Sequence, residues 1–102
     1  MRGKLVTVYW RDIPAQVVAR AGRQGAKVLL EPRFQQAIDR AAMRAGKGSS
    51  DLYLEEWRRE SAPFDGDPEQ AARAAAAALE SRYDDAVLER LVKSGGAGSC
   101  TQ

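Results

Sequence analysis

With 102 residues, 44% of them hydrophobic, the chain has the length of one domain with a modest core, and no apolar run nears the roughly 18 residues of a membrane span. It contains no histidine, which excludes Ser-His-Asp and Cys-His catalysis, and its single cysteine, Cys100, leaves neither a disulfide framework nor a zinc site. A formal net charge of +2 argues against a chain built chiefly to neutralise phosphate.

In chain order, Leu5-Val6-Thr7-Val8-Tyr9-Trp10 is rich in the β-branched and aromatic residues that suit a pleated, half-buried surface. Leu5, Thr7 and Tyr9 point to one face; Val6, Val8 and Trp10 point to the other. Both faces are apolar, which predicts a central strand. Arg11 and Asp12 follow at a connection, and Pro14, unable to donate to a ladder, holds Ile13 in extended geometry. Residues 15–21 alternate again, with Ala15, Val17 and Ala19 opposite Gln16, Val18 and Arg20. Gly22-Arg23-Gln24-Gly25 reads as a turn; no helix carrying Lys-Ser/Thr follows, so it is not a phosphate-binding P-loop. Residues 26–31 then form a third strand of an antiparallel meander.

Pro32 starts the first helix, where its missing N–H costs nothing, and Phe34, Ala37, Ile38, Ala41 and Ala45 fall on one apolar face ended by Gly46. Residues 47–50 read as a linker and Ser50 or Asp51 as the cap of a second helix, with Tyr53, Leu54 and Trp57 as its apolar edge. Residues 61–66 read as a loop. Asp67-Pro68-Glu69-Gln70 supplies an N-cap, a proline at the first helical position and a glutamine at the capping-box position. The helix it opens is expected to run to about Ser94 through five consecutive alanines. The fold class expected is α+β: a three-stranded antiparallel sheet over residues 4–31 covered by three helices near 33–45, 51–60 and 68–94. This makes a single domain over 1–94, with a disordered Gly/Ser tail over 95–102.

Three features invite a functional reading, each with a plainer one beside it. Arg11 and Asp12 end a central strand, where side chains are often displayed, yet a solvated turn pair is common and worth little. Trp57 suits ligand stacking, but an aromatic packed under two helices, against Phe34 and Ile38, is the more ordinary outcome. Met43, opposite the apolar face of the first helix, marks a contact surface or nothing at all.

The blocks Val-Tyr-Trp-Arg-Asp-Ile-Pro-Ala-Gln-Val over 8–17, Arg33-Phe34, Ala37-Ile38-Asp39, Ala41-Ala42-Met43-Arg44, Asp51, Tyr53-Leu54 and Trp57-Arg58 together resemble the small bacterial virulence-factor family, which is similar to the C-terminal part of conserved virulence factor C. The resemblance runs from about residue 5 to residue 92. It implies an accessory role beside folate- and corrinoid-dependent methyl-transfer enzymes in one-carbon or methionine metabolism, and it brings no catalytic residues to carry over.

Charge is unevenly spread: residues 1–50 hold ten Lys/Arg against three Asp/Glu, and residues 51–102 hold six against eleven. The two halves therefore carry +7 and −5, which suits either a basic face toward an acidic partner or two halves attracting each other within one fold. The leading expectation is a non-catalytic interaction protein that docks on a larger protein, a folate- or corrinoid-dependent methyltransferase component being the partner implied. Tyr9, Trp10, Arg11, Asp12, Arg33 and Met43 are the candidate contact residues. Second comes a nucleic-acid binder using Arg11, Arg20, Arg23, Lys27 and Arg33; third, a small enzyme with Asp12, Asp39 or Tyr9 as acid/base. No cofactor, metal or membrane association is expected, and the cytoplasm is the expected location, since Arg11 and Asp12 interrupt any secretory leader of ordinary length.

Overall fold

The N-terminal meander forms as its alternation predicts. A computed structural model describes residues 2–46 and 50–96. In it, β1 (Arg2–Trp10), β2 (Ile13–Ala21) and β3 (Gln24–Leu29) pair antiparallel in sequence order. Leu5 faces Ala19 and Thr7 faces Val17 on one side of the sheet, while Val6 faces Val18 and Val8 faces Gln16 on the other. The register shifts between Val8 and Tyr9, so that Tyr9 meets Pro14 and Trp10 meets Ile13. A bulge of this kind bends the strand and re-aims the side chains beyond it.

Two expectations are corrected. The second helix stops early: α2 spans Ser50–Glu55, and Trp57–Asp65, expected as helix end and loop, forms a fourth strand, β4. It pairs antiparallel with β1 along its whole length, with Trp10 opposite Trp57, Tyr9 opposite Arg58 and Gly3 opposite Phe64. The sheet therefore has four strands in the order β3-β2-β1-β4, and β1 is internal, as its two apolar faces predict. The helical spacing of Tyr53, Leu54 and Trp57 concealed a strand whose residues are mostly exposed. Pro63 is compatible with β4 because the strand lies at an edge, where a missing donor breaks no inner ladder. Gly3 is required by this pairing, since a Cβ there would stand 2.3 Å from the Arg20 carbonyl oxygen and 2.6 Å from the Phe64 ring.

The second correction concerns the long C-terminal helix, which is two: α3 (Pro68–Arg82) and α4 (Asp85–Lys93). Asp67 caps α3 by accepting from the Gln70 N–H, as the sequence predicts. Tyr83 leaves helical geometry, and Asp84 caps α4 by accepting from the Val87 N–H at 2.9 Å. With α1 (Pro32–Arg44), the described residues thus hold four helices rather than three.

The core lies on one side of the sheet. There α3 packs on β2 and β3, and α1 packs on β2 and on α4. Ile13, Val17 and Ala19 from the sheet share one core with Phe34, Ile38 and Ala41 of α1, Ala72 and Ala76 of α3, and Leu88 and Leu91 of α4, all buried. The alanine run lets α3 approach the strands closely. A two-pronged contact from Arg40 to Glu89 (3.1 and 3.2 Å) ties α1 to α4, and that hydrogen-bonded guanidinium holds the Glu89 carboxyl below its ordinary range. Described structure continues past residue 94: Gly95 and Gly96 are buried, and Gly96 lies over Trp10 and Arg11. The tail from residue 97, with Cys100, and the linker at 47–49 lie outside the described residues.

Candidate partner interface

Four of the six candidate contact residues come together at the tip of the β1–β2 hairpin. Trp10 is 0% exposed; its Nε1 donates to the Tyr53 carbonyl at 2.8 Å, and its ring stacks on that of Tyr53 at 5.8 Å. Arg11 adopts φ 55, a left-handed conformation unusual for a residue with a side chain. Its backbone N–H donates to the Glu56 carbonyl (3.1 Å), its Nη1 to the Gly95 carbonyl (3.0 Å), and its Nε lies 3.3 Å from the Glu56 carboxylate. The Asp12 N–H donates to the Gly96 carbonyl at 2.9 Å. Arg58, from β4, then spans the tip: it donates to the Arg11 carbonyl (2.8 Å), meets the Asp12 carboxylate (3.2 Å) and pairs with Glu60. Its guanidinium covers the Tyr9 ring at 4.4 Å. Three separate segments, namely the α2–β4 junction, the end of α4 and β4 itself, thus lock one turn.

The electrostatics follow from this geometry. Burial, with the charges of Tyr83 and Glu60 adding to it, raises the Tyr9 hydroxyl above its ordinary value of 10.0. Burial alone would lower the Arg58 pKa, but the hydrogen bonds and charges of Glu60 and Asp12 together outweigh it and raise it. The raised Tyr9 pKa makes its hydroxyl a poorer proton donor and less readily ionised near neutrality. Asp39, the third acid–base candidate, lies on exposed α1 surface and accepts from Gln35 at 3.0 Å. No group of three His, Cys, Asp or Glu able to hold a metal ion occurs among the described residues.

Arg33 and Met43 lie elsewhere. Arg33 donates to the Tyr83 carbonyl (2.6 Å) and the Glu80 carbonyl (2.9 Å), pairs with Glu31 (2.8 Å) and covers the Phe34 ring at 4.5 Å. It thereby fastens the start of α1 to the joint between α3 and α4. Met43 is 76% exposed on α1. Trp57, expected deep against Phe34 and Ile38, sits at the core margin instead. It is half-buried, with its ring edge-on to Tyr53 at 5.7 Å and 82°.

The sheet face opposite the core is open. Half-exposed Val6, Val8 and Val18 form its floor, Leu29 (67% exposed) and Trp57 stand at one end, and Lys4, Arg20, Lys27 and Arg59 rise around it. Of the basic residues named for the nucleic-acid reading, Arg20, Arg23 and Lys27 line this surface, whereas Arg11 and Arg33 are spent in the internal networks above. Lys4 and Arg59 were missed. Lys4 shares the parity of Val6 and Val8 and is legible from the alternation; Arg59 is not, because the spacing of Tyr53, Leu54 and Trp57 predicts a helix where its strand lies. Among the described residues, no helix is long and apolar enough to cross a membrane.

No curated protein and no solved structure matches the chain. A family model described as "Virulence factor" matches residues 8–92, from the end of β1 through most of α4. That span includes the hairpin tip, Val8 and Val18 of the open face, and α1 to α3 with most of α4, and on that match the chain belongs to the virulence-factor family.

Proposed function

We propose that this chain is a non-catalytic accessory domain that docks on a larger protein through the open face of its sheet. The observation that carries the reading is that face itself: a four-stranded sheet that, among the described residues, is covered by helices on one side only, with three valines and a leucine left facing solvent. Sheets in most domains bury both faces or present a polar one. An uncovered aliphatic floor is the surface a partner is expected to complete. The hairpin-tip residues Tyr9, Trp10, Arg11 and Asp12 serve this by holding the end of β1 and β2 rigid, and Arg33 does the same for the helical layer. Met43 offers a second, smaller contact on α1.

The family resemblance supports a folate- or corrinoid-dependent methyl-transfer component as the partner, in one-carbon metabolism in the cytoplasm. The test is capture from native lysate with the immobilised chain, read by mass spectrometry, beside a Val18→Asp variant that places a charge on the floor. Enrichment of a methyl-transfer enzyme by the wild-type chain, lost in the variant, is the expected result. Equal capture by both would remove the open face as the docking surface, and the absence of such an enzyme would remove the pathway.

A further inference from the structure

Resting on that docking reading, we infer that the element received by the open face is an acidic amphipathic helix of the partner, laid over Val6, Val8 and Val18. Three depressions of about 650, 490 and 280 Å³ line the face and share residues: the first and third share Val8, Gln16 and Arg59, the second and third Gln16, Val18 and Arg20. They are one continuous trough. Its lining includes six cations (Lys4, Arg20, Arg23, Lys27, Arg58 and Arg59) and no aspartate or glutamate. Arg58 is committed to Asp12 and Glu60; none of the other five is paired with a carboxylate among the described residues.

The arrangement of the charges selects the occupant. The floor residues belong to β1 and β2, the two inner strands, while Lys27 stands on β3 and Arg59 on β4. Cations therefore flank an aliphatic strip on both sides. A helix about 10 Å across covers two to three strands spaced about 4.8 Å apart, setting an apolar stripe on the valines and a row of carboxylates along each flank. A strand added at the edge of β3 or β4 would leave the floor exposed. A second copy of this face would oppose like charges, which costs affinity. Single-stranded nucleic acid binds sheets by stacking bases on aromatic side chains, and this trough offers Trp57 alone over an aliphatic floor. The docked helix would complete a three-layer helix–sheet–helix domain.

The test uses synthetic probes on the full chain. One is a helical peptide of about four turns with leucines on one face and glutamates on the others. A second has the same composition with the leucines scattered, and a third is an oligothymidylate of about 12 nucleotides. Titrations follow Trp57 fluorescence in a Trp10→Phe background and backbone amide shifts of residues 6, 8 and 18 in the wild type. The expected result is saturable binding of the first peptide, weaker by about tenfold for the scattered one and by about tenfold again in a Lys27→Glu, Arg59→Glu double variant, with loss at raised salt. Both substituted residues are exposed, so an unchanged melting temperature separates lost binding from lost folding; if it falls, the Lys27→Gln, Arg59→Gln pair replaces the charge reversal. Equal binding of the two peptides, indifference to the double variant, tighter binding of the oligonucleotide, or no saturable binding would each overturn the inference. Should these fail while lysate capture still returns a methyl-transfer enzyme, the docking reading stands without the acidic helix. Should the peptide bind and the capture fail, the surface is right and the pathway is wrong.

Discussion

The Trp10 indole donates to the Tyr53 carbonyl at 2.8 Å while the two rings stack, so one residue of β1 fixes the position of α2. That contact spans 43 residues and lies just ahead of the point where β4 enters beside β1. Removing it by Trp10→Ala should destabilise the fold by about 3–5 kcal/mol, the range for truncating a large buried aromatic. Trp57→Ala, at the core margin, should cost clearly less. Urea denaturation of the two variants checks the order, and the reverse order would place Trp57 in the core.

Arg11 combines a left-handed backbone with side-chain contacts to Glu56 and Gly95. Arg11→Ala loses the contacts and keeps the strain, so a loss of about 1–2 kcal/mol is expected. Arg11→Gly loses the same contacts but adopts positive φ freely, and should be about 1 kcal/mol more stable than the alanine variant. Identical denaturation midpoints for the two would show that the turn carries no backbone strain.

Tyr9 and Tyr83 are both raised above 10.0, in each case mainly by burial. A folded pKa above the unfolded one means the neutral form is favoured by the fold. The stability this contributes is fully present below pH 10 or so and is lost as pH rises through the folded values. Absorbance at 295 nm should show a late-ionising component that disappears in a Tyr9→Phe, Tyr83→Phe variant, and the wild-type protein should weaken on the alkaline side before that component titrates out. Tyrosinate formation in the wild type no later than in the urea-unfolded chain would contradict it.

The break between α3 and α4 rests on the Asp84 cap, whose carboxylate accepts from the Val87 N–H. Asp84→Ala should cost about 0.5–2 kcal/mol, and Asp84→Asn or Asp84→Ser should recover most of it. Arg33→Ala should add its own loss, since Arg33 holds the Tyr83 and Glu80 carbonyls at the same joint. A double variant whose loss falls short of the sum would show that cap and arginine act as one unit.

What the sequence by itself determined is what short-range periodicity and local chemistry encode. The alternation of 5–10 and 15–21, the Pro32 start of α1 and the Asp67-Pro68 start of α3 depend on a residue's immediate neighbours, and each is found where the pattern predicts; the turn expected over 22–25 is tighter, closing at Gly22-Arg23 so that β3 begins at Gln24. The resemblance carried by the blocks from 8–17 onward likewise placed the chain in its family. Tertiary structure decided the rest. β4 is a strand because β1 offers it a free edge, and its own exposed, charged residues show no period of two that would distinguish it from a helix. The break at Tyr83 joins a local cap, Asp84, to a contact from far along the chain, Arg33, which donates to the Tyr83 and Glu80 carbonyls from 50 and 47 residues away. The open face needed all four strands in register before Lys27 and Arg59 could be seen to flank the same valines. Arg11 and Arg33 carry the same charge chemistry as Arg20 and Lys27 in the sequence. Only the packing shows that the first two are consumed in holding the fold while the others stand on the open face of the sheet.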